Sequence, residues 1–200
     1  MNHRTDINPI IKAAVFHAQF ETIHPFIDGN GRTGRALLHR IIMIEKIMNA
    51  VTLPVSAGLL HNIDDYMESI ILYQNGNYFS IIEQLVKSLD IALAIGNLVI
   101  RDIEDIIEKW KTVITERATA RIWEAIYVFV EQPVVDVKFL SGRLKLTERA
   151  TRNLLGKLIN YGIVKVNENK KRGIFYQAPE IISVFDYVSD LSILRRISAG

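Results

Sequence analysis

"HPFIDGNGRTGR", residues 24–35, carries three glycines in the spacing Gly29-x-Gly31-x-x-Gly34, with Arg32 and Arg35 three positions apart. That glycine spacing is used by dinucleotide-binding loops, so the reading of these twelve residues decides the fold. A Rossmann loop follows a buried β-strand, opens a helix and is answered by an acidic residue ~20 positions later. Here the preceding residues, "AVFHAQFETI" (14–23), have helical rather than strand periodicity, and no βαβ pattern surrounds them. The Lys-Ser/Thr pair of a Walker A loop is also missing. The stretch reads as a turn between two helices.

Working outward, "DINPIIKAAVFHAQFETIHP" predicts a helix with Asn8 as N-cap and Pro9 in its first turn. Ile11, Ala14, Val15 and Ala18 mark its apolar face, and Pro25 is expected to push His24 into extended geometry and stop the helix near Ile23. After the turn, "RTGRALLHRIIMIEKIM" is helical again, with Leu37, Leu38, Ile41, Ile42 and Ile44 as a broad buried face. "VTLPVSAGLLHN" reads as a loop or short helix, and "IDDYMESIILYQ" as a helix closed by "NGN". A long amphipathic stretch follows to about residue 117, with a break marked at Gly96-Asn97.

The last third changes character. "TARIWEAIYVFVEQP" is a helix ended by Pro133, and "VVDVKFLSGRL" leads into a shorter one. "LTERATRNLLGKLINYG" is a basic helix with Thr147 as N-cap and Gly162 as stop. "IVKV", the polar turn "NENKKRG" and "IFYQAP" then form a β-hairpin. Three helices followed by a two-stranded wing describe a winged helix-turn-helix. The expected fold is therefore mainly α: a helical bundle over residues 1–117, a small α+β winged-helix domain over 118–180, and a C-terminal helix or tail over 181–200.

Charge divides the chain in the same sense. The net charge is +2, yet residues 138–172 hold ten Lys or Arg against Glu148 and Glu168, a balance of +8 that leaves −6 elsewhere. Arg149, Arg152, Asn153 and Lys157 on the basic helix, with Lys170, Lys171 and Arg172 on the wing, are candidate contacts to DNA. A solvated face or a packing module is the plainer reading of the same residues. No apolar run reaches the length of a membrane span, and "MNHRTDINPI" lacks the apolar core of a secretory signal. Cysteine is absent, which excludes disulfides and thiolate metal sites; a cytoplasmic location is the expectation.

Phosphate chemistry remains the content of the turn. Gly29 and Gly31 let backbone N–H groups approach an anion, and the helix that follows aims its unpaired N–H groups the same way. Arg32 and Arg35 can both reach phosphate oxygens, Asp28 can hold Mg²⁺ beside them, and His24 is placed as a general base. These parts together describe nucleotide-dependent transfer to a hydroxyl.

At these residues the chain resembles the Fic family, whose signature is His-x-Phe-x-(Asp/Glu)-Gly-Asn-Gly-Arg-x-x-Arg. All eight specified positions match. The resemblance covers roughly residues 8–115, and a winged helix is a frequent companion in that family. It implies that His24 deprotonates the target hydroxyl and that Asp28 holds Mg²⁺. Gly29, Asn30 and Gly31 would form the anion nest, and Gly34 is expected among the nucleotide-binding residues. Arg32 and Arg35 would grip the phosphates, and Phe26 would anchor the loop in the core. The implied reaction is adenylylation: AMP passes from ATP to a Ser, Thr or Tyr hydroxyl of a target protein, releasing pyrophosphate. Tyr66 is a candidate wall of the base pocket, with core packing as its alternative. His3, His17, His39 and His61 read as structural, Glu21 as a local cap or pair, and Arg40 and Lys46 as a solvated face.

Two features depart from the family pattern. Only seven residues precede Asn8, where relatives carry helices and a β-hairpin flap that docks the target. The inhibitory motif (Ser/Thr)-x-x-x-Glu-(Gly/Asn) is not seen: Thr112 to Glu116 has the spacing, but Arg117 follows. Alternatives therefore stay open, namely a nucleotide-sensing DNA-binding regulator with little or no catalysis, or a hydrolase that removes AMP with the same loop. The expected partners are a hydroxyl-bearing target protein, DNA through the wing and a second copy of the chain, with no membrane.

Overall fold

The computed structural model describes residues 7–46, 54–115, 117, 121–169 and 173–189. It is mainly helical, in the order α1 (Pro9–Ile23), α2 (Asn30–Ile44), α3 (Val55–His61), α4 (Ile63–Gln74), α5 (Tyr78–Val113), α6 (Arg121–Glu131), β1 (Val134–Val135), α7 (Val137–Leu144), α8 (Glu148–Asn160), β2 (Lys165–Asn169), β3 (Gly173–Gln177) and α9 (Pro179–Ser189). None of the described helices is long and apolar enough to cross a membrane. Two compact units are present, one reaching Asn97 and the other spanning Leu98–Ser189.

In the first unit, α1 and α2 are joined by the turn and packed through small residues. Asn8 accepts a 2.8 Å bond from the Ile10 N–H, and Pro9 occupies the first turn where its lost donor is harmless. The helix does end at Ile23, but not by extension of His24. His24 is left-handed (φ 48°, ψ 58°), and its N–H closes on the Phe20 carbonyl at 3.0 Å. Pro25 disfavours only the right-handed helical region for His24, and the left-handed cap satisfies the helix end.

The buried face of α1 is Ala13, Ala14, His17 and Ala18; Ile11 is exposed. On α2 the buried stripe is narrow, Asn30, Gly34, Leu38 and Ile42, and Ile44 faces out. Gly34 lets α2 approach α1 closely, with Glu21 and Phe20 where its Cβ would be, so a wide apolar band is not required. The same device recurs where Gly58 of α3 meets α5: a Cβ there would lie 2.0 Å from the Ser88 carbonyl oxygen. Leu38, Ile42, Val55, Leu59, Tyr66, Ile70, Ile81 and Leu85 complete this core.

Helix α5 runs unbroken through Gly96-Asn97, although the compact units divide at that very place. The sequence pattern puts the change near residue 117. The structure puts it earlier because Trp110 and Ile114 pack with Ile122, Ile126, Phe129, Leu140, Leu155 and Leu158 in the second core. Asp136 caps α7 through a bond from the Phe139 N–H, and Thr147 caps α8 with a 3.2 Å bond from the Ala150 N–H. The strands form an antiparallel sheet in the order β1-β3-β2, with Val135 opposite Tyr176 and Val166 opposite Tyr176 on the other side. The strand expected at "IVKV" starts later, at Lys165, because Ile163 and Val164 are drawn into the core. Ile181 of α9 joins that core too, so this helix is part of the unit.

Candidate functional site

The turn between α1 and α2 is built around Asn30. The residue is 2% exposed, and its carboxamide accepts from the Phe26 N–H at 2.8 Å and donates to the Phe26 carbonyl. A buried amide satisfied at both ends by one backbone residue is a latch across the turn. Phe26 itself does not anchor anything in the core. It is 51% exposed, and its ring only tilts toward Phe20, with ring centroids 6.3 Å apart. The anchoring role expected of Phe26 thus belongs to its backbone, held by Asn30.

Helix α2 starts at Asn30, two residues earlier than the apolar pattern suggests, so Asn30 and Gly31 lie in its first turn. Gly29 precedes it at φ 83°, a left-handed conformation that suits glycine. The Thr33 N–H makes the first intrahelical bond, to the Gly29 carbonyl at 2.9 Å. The N–H groups of Asn30, Gly31 and Arg32 therefore have no acceptor within the helix and carry its positive dipole end. An anion is the natural complement.

Both arginines lean back toward that end, as helical side chains do. Arg35 brings Nη1 to 3.0 Å from the point a Gly31 Cβ would occupy, so Gly31 leaves the guanidinium room to lie over the first turn. Arg32 pairs with Asp28 at 3.2 Å, with side chains 76% and 90% exposed. An ion pair so open to water is weak and readily exchanged for a phosphate or a cation. Among the described residues no cluster of three or more His, Cys, Asp or Glu could hold a metal. Asp28 fits Mg²⁺ in another way, since that ion commonly takes one or two carboxylates and completes its shell with phosphate oxygens and water.

His24 is exposed at the mouth of the turn, and its Nδ1 lies 3.3 Å from the Glu21 carbonyl oxygen. A carbonyl only accepts, so Nδ1 is the donor in this contact and Nε2 is the nitrogen it leaves unengaged. Beneath the turn is a buried pair that the sequence pattern does not join. His17 Nε2 is 3.0 Å from the Tyr66 hydroxyl, and both residues are buried. Burial takes the His17 ring down to about 4, with a Gly34 backbone bond opposing and the Arg35 charge assisting. Burial pushes the Tyr66 phenol up, helped by Glu21 and opposed by Arg35. Glu21 is itself pushed up by desolvation, against the pull of Arg35 and His24.

His24, Asp28, Gly29, Asn30, Gly31, Arg32 and Arg35 lie along the turn and the start of α2; Gly34, expected at the nucleotide, is buried against Glu21 and Phe20 of α1, and Tyr66 lies in the core next to His17. In the second unit Arg149, Arg152, Asn153 and Lys157 are exposed on α8, with Arg152 paired to Glu148 at 2.8 Å. Lys170, Lys171 and Arg172 lie outside the described residues.

A helix start with N–H groups that have no acceptor within the helix, two arginines, a carboxylate and an imidazole together make a site suited to an anion. The sequence model of the Fic/DOC family matches residues 1–42, which end inside α2. The chain is 48% identical over 48 residues to a probable protein adenylyltransferase of Aquifex aeolicus (strain VF5), covering 24% of this chain and 15% of that one. It is 49% identical over 49 residues to a protein adenylyltransferase of Caenorhabditis elegans, 24% of this chain and 9% of that one. With the protein adenylyltransferase Fic of Drosophila melanogaster it shares 44% over 41 residues, 20% and 8% of the two chains. The match spans well under a fifth of these relatives' lengths.

Proposed function

We propose that this chain is a nucleotidyltransferase that moves AMP from ATP onto a Ser, Thr or Tyr hydroxyl of a target protein. The observation that carries this reading is the exposed His24 imidazole beside a helix start with three unpaired N–H groups and two arginines directed at it. ATP's triphosphate would lie along the N–H groups of Asn30, Gly31 and Arg32, with Arg32 and Arg35 on its oxygens. Asp28 would release Arg32 and hold Mg²⁺, which supplies charge neutralisation on the phosphates. His24 Nε2 takes the hydroxyl proton as the target oxygen attacks the α-phosphorus; the bond to the β-phosphate oxygen breaks and pyrophosphate leaves. The names of the similar proteins support this reading over the matched segment.

ATP labelled at the α-phosphate tests it. The wild-type chain should mark a protein in cell extract or itself, and folded His24→Ala should not. Equal labelling by both would refute the assignment of His24. Label released as free AMP from a modified target would favour the reverse, hydrolytic reaction.

For the second unit we read α6–α9 and the sheet as a winged helix that touches DNA phosphates through α8. The exposed Arg149, Arg152, Asn153 and Lys157 favour this. Retention on duplex DNA that falls steeply with salt would support it; none at low salt would exclude it.

A further inference from the structure

Glu21, in the last turn of α1, has no part in the chemistry above, yet three observations single it out. Its Oε1 is buried with no hydrogen-bond partner among the described residues. Buried carboxylate oxygens are seldom left this way without a compensating charge or role. The same oxygen sits on the Cα of Gly34: a Cβ built there would lie 2.1 Å from Oε1 and 3.1 Å from the Glu21 Cδ. The residue it presses against is therefore one that leaves it room. Finally, Oε1 takes no hydrogen bond from Arg35, although Arg35 directly follows Gly34 and its guanidinium lies over Gly31 at the start of α2; the Arg35 charge also opposes the rise that burial gives the Glu21 carboxyl.

The orphaned oxygen thus lies beside the neighbour in sequence of an arginine that must project toward an anion instead of closing on the carboxylate. Charges in half-buried surroundings are screened less than those at the surface. Direct pairing would use up the guanidinium's donors, whereas attraction across a gap restrains its position and keeps the fork free. Phe20 closes the other side, 3.0 Å from the built Cβ of Gly34.

We propose that Glu21 is a positioning residue: its carboxylate, seated on Gly34 under the first turn of α2, holds the Arg35 guanidinium over Gly31 at the mouth of the anion site. The inference rests on the reading of that helix start as the site for ATP's phosphates. It runs against the simplest electrostatic expectation, in which a nearby carboxylate only repels a triphosphate.

The sign of the effect of Glu21→Gln on ATP binding separates the two. In the full chain with Mg²⁺, calorimetric titration with ATP should give a Kd raised roughly five- to tenfold. In an Arg35→Gln background the same change should have no further effect. Glu21→Asp, which keeps the charge but is one methylene shorter, should fall between and serves if the glutamine variant does not fold. A Kd unchanged or lowered in these variants, or a full additional loss in the Arg35→Gln background, would overturn the proposal. The Arg35 Nε–H resonance, recorded without nucleotide, should be distinct in the wild type and lose that distinction in Glu21→Gln. If the wild type binds no ATP, the nucleotide reading fails. The resonance then still decides whether Glu21 positions Arg35, and an unchanged resonance overturns that too.

Discussion

A Cβ built on Gly34 would crowd its neighbours more than one built on Gly29 or Gly31, and this makes a sharp residue-scale prediction. A methyl group at position 34 must displace both the Glu21 carboxylate and the edge of Phe20. Gly34→Ala should lower the unfolding free energy by about 1–3 kcal/mol, measured by urea denaturation, as overpacked helix interfaces do. His17 gives a second prediction. Its ring titrates near 4 in the folded chain against an ordinary 6.5. Between those values the unfolded chain binds the proton and the folded one does not. The stability it contributes is therefore complete above pH 6.5 and lost as pH falls toward 4, by up to about 3 kcal/mol. The stability gap between wild type and His17→Gln should narrow over that window. Glu21 shows where residue-level reading stops. Its type and place suggest a cap or local pair, and only the approach of α1 to α2 reveals that its partner region is Gly34 and Arg35.

At the scale of elements, punctuation was the legible part. Asn8-Pro9 starts α1, the bounds of α4 coincide with "IDDYMESIILYQ", and Thr147 caps α8. Apolar periodicity was less reliable on α1 and α2, where Ile11 and Ile44 face out and the buried positions include Ala13, Ala14, Ala18 and Gly34. The turn shows the same limit. An aromatic ring in a loop reads as an anchor, while the buried carboxamide of Asn30 is what fastens it. Asn30→Ala should accordingly cost about 2 kcal/mol through the loss of both bonds to Phe26. Phe26→Ala should cost less, and thermal melting of the two variants would reveal a reversed order. Gly58→Ala should also lower the melting temperature, since it meets backbone, not a movable side chain, at Ser88.

For the whole molecule, the sequence divides acidic from basic character, and the structure divides two compact units, but at different residues. The discrepancy arises because Trp110 and Ile114 look like one more turn of an amphipathic helix until their core partners are known. Charge asymmetry leads to a prediction at this scale. Replacing Arg149, Arg152 and Lys157 together with Ala should weaken DNA retention, and its salt dependence should flatten by about one unit of slope for each phosphate left without a cation. ATP binding by the first unit should be untouched. The central claim nevertheless concerns the turn, and a crystal soaked with ATP and Mg²⁺ tests it most directly. The account predicts the triphosphate on the N–H groups of Asn30, Gly31 and Arg32, with the α-phosphorus open to a hydroxyl held at His24 Nε2. A triphosphate bound elsewhere, or bound here with the α-phosphorus turned away from His24, would contradict it.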